Sequence, residues 1–211
     1  MSVYPLSLWP HTGAIFCGGK SSRMGTSKAG IVLPSGLTMI EHVYQSLSTA
    51  CRQVVVVGHA DGIPASLQRL QRIEDRFKNK GPLGGLEALL SSGIDSEYLI
   101  APCDLHRVVP QLFSLLTDVN LNAPVILARK ISQDLKSKNP DDQENKSVLN
   151  YLEPLIGRYP VALLPLVRRL IAEDRLAMQE LALETKAQMI EVPGYLCVAL
   201  DNANSSQDLT S

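Results

Sequence analysis

Apolar and polar residues follow each other along this chain in short blocks that predict alternating strands and helices. Runs of β-branched and other apolar residues predict buried strands at residues 12–17, 53–57, 98–101 and 124–128. Apolar residues at helical spacing predict helices at residues 38–50, 83–92, 108–119 and 159–174. This alternation is typical of a mostly parallel sheet with helices on both faces. We therefore predict a single three-layer α/β domain over residues 1–211.

The apolar pattern is interrupted between about residues 130 and 147, where Lys, Asp, Asn, Gln, Glu and Ser surround Pro140. A segment without apolar periodicity buries too little surface to form structure of its own, so we predict a solvent-exposed loop. A lid over the active site is the alternative. The sequence contains no internal repeat and no boundary of a second domain.

The composition limits the classes of function. The chain has 211 residues, 45% apolar content, a net charge of −1 and a pI of about 6.4. The apolar content is sufficient for one sizeable core, and the charge gives no support to a nucleic-acid-binding face. No apolar run approaches the ~18 residues of a membrane helix, so we expect a cytoplasmic protein. The four cysteines lack a spacing suited to zinc, and we expect reduced, buried thiols.

The loop that follows the first predicted strand, FCGGKSSRMGTSK, carries the strongest functional signal. Gly18 and Gly19 have no Cβ, so backbone N–H groups there can approach a ligand closely. Arg23 and Lys28 add two cations that have no carboxylate nearby in sequence. Exposed amides together with fixed positive charge predict a polyphosphate site. A plain glycine turn in a solvated basic loop is the alternative.

Two known phosphate-binding motifs do not fit this loop. Its Gly-Lys-Ser resembles the ending of a P-loop, but Ala14 stands where that motif requires glycine. The Gly-x-Gly-x-x-Gly fingerprint of dinucleotide-binding folds is not present there either. The loop therefore indicates another class of nucleotide-binding enzyme.

Asp104 follows the predicted strand at residues 98–101 and is the best candidate for a metal ligand. Ligands of open parallel sheets gather beyond the carboxyl ends of the strands, so the first loop and Asp104 can face one crevice. Magnesium prefers one or two protein carboxylates and completes its coordination with water and phosphate oxygens. The alternative role for this aspartate is to cap a helix that begins near Val108.

The first loop resembles that of the nucleotidyltransferases that make molybdenum cofactor dinucleotides, especially the molybdenum cofactor guanylyltransferases. The chain keeps the paired glycines, the Ser, the Arg-Met-Gly and the final Lys of their pattern, and it departs from the pattern at Cys17 and Ser27. His106 stands where the family usually has proline. Later segments that resemble the family, in the family's order, are residues 81–86, 101–104, 153–159 and 201–205, and residues 153–159 look like its substrate-side strand.

The resemblance implies a Rossmann-like nucleotidyltransferase fold and a transfer of GMP from GTP to the phosphate of molybdopterin, with release of pyrophosphate. It implies Mg²⁺ as cofactor, held by Asp104. Lys28 would neutralise charge on the triphosphate, and Arg23 would bind the leaving pyrophosphate. Proteins of molybdenum cofactor assembly are further partners that it suggests. The alternatives are a cytidylyltransferase, a sugar-phosphate nucleotidyltransferase and a non-catalytic nucleotide-binding module.

The loop and the resemblance together assign ligand binding to Phe16, Cys17, Gly18, Gly19, Lys28, Asp75, Gly84, Asp104, Asn202 and Asn204. Asp75 matches the family's nucleotide-contacting aspartate, and one carboxylate can accept both adjacent N–H donors of guanine; a simple turn residue is the alternative. Asn202 or Asn204 would bind magnesium or the second substrate, with a simple turn as the alternative. One contact is in doubt, because the chain has Gly58 where the family has an asparagine.

Overall fold

A computed structural model describes residues 9–18, 28–59, 62–77, 79–117, 123–129 and 152–203. The strands are β1 Trp9–Phe16, β2 Cys51–Val57, β3 Arg72–Ile73, β4 Glu97–Pro102, β5 Val125–Ala128, β6 Leu152–Pro160 and β7 Gln188–Glu191. The α-helices are α1 Met39–Ser48, α2 Gly81–Leu90, α3 Pro110–Thr117, α4 Leu164–Ala172 and α5 Met178–Glu184. Short 3₁₀ turns lie at Lys28–Gly30, Ala65–Leu67, Val161–Leu163 and Gly194–Leu200.

The seven strands form one sheet in the order β3-β2-β1-β4-β6-β5-β7. All neighbouring strands are parallel except β6, which runs antiparallel to both β4 and β5. The chain moves from β1 to β2 and β3 on one side and later to β4 on the other, so the strand order reverses beside β1. The predicted mostly parallel α/β sheet is confirmed, and its switch point lies between β1 and β4.

The two faces of the sheet bury different side chains of the same strands. Ile15, Val56 and Leu99 pack on the face that α1 and α3 cover. Ala14, Val55 and Ile100 pack on the opposite face, under α2 and α4. Successive side chains of a strand point to opposite faces, so strands covered on both sides are apolar throughout. This explains why the central strands were readable as continuous apolar runs.

The predicted helix at residues 159–174 is wrong at its start. Tyr159 and Pro160 are the last two residues of β6, opposite Tyr98 and Glu97 of β4, and the α-helix begins only at Leu164. Apolar spacing in the true helix continues backwards into a buried strand, so periodicity alone placed the boundary too early. The position of Pro165 in the first turn of α4 is the better boundary signal, because proline is tolerated there.

Three short elements were not predicted at all, namely β3, α5 and β7. They have two, seven and four residues, and β7 is mostly exposed. Segments of this length show too few periods for a pattern to emerge. Across the described ranges, none of the helices has both the length and the apolar content needed to cross a membrane.

Candidate functional site

The carboxyl edge of the sheet brings the end of the first loop beside Asp104. Lys28 Nζ donates a hydrogen bond to Asp104 Oδ2 at 3.0 Å, and the two side chains are 23% and 19% exposed. Phe16 ends β1 and Pro102 ends β4, and these residues are register partners in the parallel pair. The predicted shared crevice is therefore formed by adjacent strand ends, with a half-buried ion pair above them.

The structure changes two interpretations that were based on the sequence, one for Lys28 and one for Asp104. Lys28 had no carboxylate nearby in sequence, yet Asp104 is its partner across 76 positions. Asp104 does not cap a helix near Val108, because α3 begins at Pro110, six positions further along. Its backbone carbonyl instead accepts a hydrogen bond from the Ala203 N–H at 3.0 Å. The carboxylate thus lies in a loop that the C-terminal segment supports.

Cys17 and Cys103 extend the same strand ends by one residue. The Cys17 N–H donates to the Val57 carbonyl at 2.8 Å, and the Cys103 N–H donates to the Phe16 carbonyl at 3.0 Å. A hydrogen bond between the two thiols, followed by burial, raises the pKa of Cys17 far above its usual range. Both cysteines are reduced and buried. The predicted buried thiols are seen at these two strand ends.

Gly58 explains the departure from the family pattern after the second strand. Its φ is +84°, and a Cβ at this position would lie 2.1 Å from the Cys17 carbonyl oxygen. The same Cβ would lie 3.9 Å from Asp75 Oδ1, which places the Asp75 carboxylate beside the start of the first loop. An asparagine with this backbone would collide with Cys17, so the contact expected from the family's asparagine has no side chain to make it here.

Asp75 lies on an exposed loop after β3, but nearby atoms partly shield its carboxyl group. This desolvation raises the pKa of Asp75, since burial disfavours the charged form. A carboxylate that gains no compensating donor from the described chain is suited to accept N–H groups from a ligand.

Helix α2 begins at the same edge. A Cβ on Gly85 would lie 3.0 Å from Phe16 Cε1, and a Cβ on Gly84 would lie 3.1 Å from both Lys80 Cβ and the Phe77 carbonyl oxygen. Both glycines therefore let α2 pack closely against strand ends and the preceding loop. Gly84 is buried in this contact, and its role in base binding stays a prediction. The N-terminus of α2 adds partial positive charge to the crevice.

A pocket of about 310 Å³ opens near the carboxyl end of β4, between α2, β6 and α5. Its lining is mostly apolar and comprises Pro82, Pro102, residues 152–156, residues 176–179 and Asn202. Glu153, Gln179 and Asn202 are the polar side chains among these residues. Asn202 also forms an isolated bridge with Leu105, so it lies next to the Asp104 loop. Asn202 therefore belongs both to the lining of the pocket and to the segment that pairs with the Asp104 loop.

Arg129 was missed by sequence reasoning. It follows β5 directly and contacts Glu153 on β6, Asp201 and the Leu200 carbonyl. A polar residue at the end of a buried strand was a signal that identified Asp104, and the same signal applied to Arg129. Gly19, Arg23, Asn204 and the polar insert lie outside the described residues, so the predictions about them remain predictions.

The donor set fits a magnesium ion that is carried largely by its substrate. The described ranges contain no cluster of three or more His, Cys, Asp or Glu side chains suited to a metal. Magnesium does not need such a cage, because substrate phosphates and water supply most of its ligands. Asp104 and the side-chain oxygen of Asn202 are oxygen donors of the type it prefers.

A mostly parallel sheet with a cation and a carboxylate at its switch point has the ligand-binding architecture of an open α/β fold. The family model described as the MobA-like NTP transferase domain matches residues 13–187, and the chain belongs to this family. It is therefore an enzyme of the nucleotidyltransferase class.

Two curated relatives carry the name probable molybdenum cofactor guanylyltransferase. The protein from Flavobacterium johnsoniae is 29% identical over 208 residues, which is 94% of each chain. The protein from Carboxydothermus hydrogenoformans is 32% identical over 162 residues, which is 75% of this chain and 70% of the relative.

Solved structures share the fold at lower identity. Molybdopterin-guanine dinucleotide biosynthesis protein A from Archaeoglobus fulgidus gives a TM-score of 0.66 at 22% identity, over 94% of this chain and 95% of that one. 4-Diphosphocytidyl-2C-methyl-D-erythritol synthase from Anaerococcus prevotii gives 0.65 at 13% identity, over 95% of each chain. The same fold therefore serves different nucleotides and acceptors.

Proposed function

We propose that this enzyme transfers GMP from GTP to the phosphate of molybdopterin, releasing pyrophosphate, with Mg²⁺ as its cofactor. The observation that carries the proposal is the Lys28–Asp104 pair at the junction of β1 and β4. Asp75 and the start of the first loop lie on one side of this pair, and the apolar pocket lies on the other. The two sides would hold the two substrates, and the pair would lie where their phosphates meet.

The nucleotide half would recognise guanine through Asp75. Its partly desolvated carboxylate can accept the N1–H and the exocyclic amine of guanine together, and these hydrogen bonds would offset the cost of desolvation. The amides after β1 would bind the triphosphate, with Gly18 exposed at the end of the strand. Phe16 and the first turn of α2 would form the apolar wall behind the base.

The chemistry requires charge neutralisation and alignment, because the attacking phosphate and the α-phosphorus both belong to anions. Asp104 would hold the magnesium ion, whose charge polarises the α-phosphate and offsets the negative charge that develops on the leaving pyrophosphate. Lys28 would turn from Asp104 towards the phosphates and neutralise part of their charge. Arg23 would bind the pyrophosphate as it leaves.

The acceptor half would be the pocket between α2 and β6. About 310 Å³ is at the lower end of the range for small-molecule sites, and its apolar walls suit a flat ring. Glu153 and Asn202 offer a carboxylate and an amide for the polar edge of such a ring. Asn202 lines the pocket and pairs with Leu105 beside Asp104, so a phosphate attached to the ring would be able to reach the metal. The names of the two curated relatives support molybdopterin as this acceptor.

A cytidylyltransferase is the second candidate, since a structure with this fold carries a diphosphocytidyl name. Asp75 favours guanine over cytosine, because cytosine has only one exocyclic donor and an acceptor beside it. The predicted cytoplasmic location is compatible with a supply of GTP. Assembly proteins for the cofactor would act there as further partners.

The test is to incubate the protein and Mg²⁺ with molybdopterin and either GTP or CTP, and to measure the mass of the product. We expect the pterin to gain one GMP, with pyrophosphate release that Asp104→Ala abolishes. Gain of CMP in preference to GMP would overturn the base assignment. Equal, slow pyrophosphate release by wild type and Asp104→Ala would overturn the enzymatic role of this site.

A further inference from the structure

We propose that Arg129 is a positioning residue that holds the segment containing Asn202 against the Asp104 loop. It would thereby fix the distance between the acceptor pocket and the carboxylate that binds the metal. This inference rests on the proposed function, because it assigns the pocket to the acceptor. Nothing in the comparisons assigns a role to this arginine.

The guanidinium group of Arg129 joins three parts of the chain at the carboxyl edge. Its Nε contacts Glu153 on β6, its Nη1 donates to Asp201 Oδ1 at 2.9 Å, and its Nη2 donates to the Leu200 carbonyl at 2.6 Å. All three guanidinium nitrogens therefore have protein acceptors. An arginine engaged in this way is committed to holding its neighbours rather than to binding a phosphate.

The contacts continue from Arg129 to the candidate metal ligand through four consecutive residues. Leu200 and Asp201, which Arg129 holds, are followed by Asn202, which pairs with Leu105. The next N–H, that of Ala203, donates to the carbonyl of Asp104 at 3.0 Å. A shift of residues 200–203 would therefore move one wall of the pocket and the support of Asp104 together.

The positive charge of Arg129 stabilises the approach of Glu153 and Asp201 to each other. Glu153 and Asp201 are carboxylates that share Arg129, and without it they would repel each other across the pocket entrance. Burial alone would lower the pKa of Arg129, but the hydrogen bonds and charges of Glu153 and Asp201 raise it, so the group stays charged. Lysine keeps the charge but cannot present three nitrogens in one plane.

Arg168 is a matched control at a distance from the cleft. Its Nε donates to Glu87 at 2.9 Å and its Nη2 donates to Ser91 at 3.1 Å, so it also joins two elements through a fork. Ser91 caps the end of α2 that points away from the carboxyl edge. Arg168→Ala should therefore reproduce the general loss of an arginine network without moving residues 200–203.

The kinetic experiment compares wild type, Arg129→Ala, Arg129→Lys and Arg168→Ala with GTP, Mg²⁺ and molybdopterin. Arg129→Ala is expected to raise the KM for molybdopterin about tenfold or more, because misplacement of one wall loosens the acceptor. The KM for GTP should change less than about twofold, and Arg129→Lys should lie between wild type and Arg129→Ala. Arg168→Ala should leave both KM values at the wild-type level.

A second readout needs no substrate. Hydrogen exchange of the Ala203 amide should be faster in Arg129→Ala and in Asp201→Asn, and unchanged in Arg168→Ala. Equal increases in the two KM values, or wild-type exchange at Ala203, would overturn the inference. If Arg129→Ala does not fold, Arg129→Lys and Asp201→Asn decide the same point. Failure of wild type to turn over would overturn the proposed function, whereas the exchange rates would still judge whether Arg129 holds the segment.

Discussion

The two edges of the central strands each carry an aspartate, and the two carboxylates are held very differently. At the amino edge, Asp95 accepts hydrogen bonds from His11 Nδ1 at 2.7 Å, Thr12 Oγ1 at 3.0 Å and Arg52 Nη2 at 3.1 Å. Its side chain is only 9% exposed. At the carboxyl edge, Asp104 has Lys28 as its donor within the described part of the chain, and 19% of its side chain is exposed.

This difference separates a structural carboxylate from one that is available to a ligand. Asp95 has both oxygens occupied by nearby donors, so it gains nothing from a further partner. Asp104 keeps capacity on its carboxylate at the edge where parallel sheets bind ligands. The residue type and its place beside a strand are the same in both cases. The number of donors that the fold supplies, the exposure of the side chain and the edge of the sheet distinguish them.

Neutralising each carboxylate in turn tests most directly whether the two edges differ in function. Asp104→Asn should lower Mg²⁺-dependent pyrophosphate release by roughly a thousandfold, because it removes the charge that would hold the metal. Asp95→Asn is the matched control and should keep kcat within about twofold while lowering stability. Steady-state pyrophosphate release measures both. Similar losses of kcat in the two variants would mean that the edges do not differ in function.

A second prediction concerns the backbone that shapes the carboxyl edge. Gly58→Ala should lower the free energy of unfolding by about 2–4 kcal/mol, because its Cβ would lie 2.1 Å from the Cys17 carbonyl oxygen. Gly36 has the same φ of +84° but no atom within 4 Å of the added Cβ. Gly36→Ala should therefore cost only the left-handed backbone, about 1 kcal/mol. Urea denaturation compares them, and equal costs would show that the collision is relieved by a small shift.

The central part of this edge was predictable from sequence because its signals are local. Parallel strands buried on both faces are continuous apolar runs, so β2 and β4 stood out. A polar residue shortly after such a run lies near the carboxyl edge, and this rule placed Asp104 near the first loop. The glycines and cations of that loop needed no structural information.

The remaining features depend on contacts between distant positions. The partner of Lys28 is 76 positions away and that of Arg129 is 72 positions away, and no local pattern encodes such pairs. The antiparallel direction of β6 follows from where the chain returns to the sheet rather than from its own residues. The short, exposed strand β7 has no apolar alternation to detect. Asp95 precedes the amino end of β4, and the rule about polar residues at carboxyl ends does not apply there.

A third prediction concerns recognition of the guanine base by Asp75 at the carboxyl edge. Asp75→Asn should raise the KM for GTP about tenfold, because a charged acceptor for guanine contributes more than a neutral one. ITP lacks the exocyclic amine, so wild type should prefer GTP over ITP and the variant should lose most of this preference. Stability should change by no more than about 0.5 kcal/mol, since solvent screens this exposed carboxyl. An unchanged ratio of kcat/KM for GTP and ITP would remove Asp75 from base recognition.

The weakest effect that we predict is the pH dependence of the free energy of unfolding that Asp95 causes at the amino edge. Burial would raise the pKa of Asp95, but hydrogen bonds from His11, the Ser96 N–H and Thr12 outweigh it and lower the pKa. A lowered pKa in the folded state means that the stabilisation is present above the unfolded value of about 3.9 and is lost as the pH falls through the folded value. Asp95→Asn should therefore cost about 1 kcal/mol at pH 6, after allowance for solvent screening.

This cost should shrink as the pH falls below the unfolded value, and it should disappear once the pH has fallen through the lowered pKa of the folded wild-type carboxylate. The control is Asp174→Asn, because Asp174 is 76% exposed and pairs with Lys80 at the surface. Its unfolding free energy should differ little from wild type at either pH. Urea titrations at pH 6 and pH 3 compare the three proteins. A cost for Asp95→Asn that stays constant between these pH values would mean that its hydrogen bonds do not depend on the charge, and that the two edges differ in geometry alone.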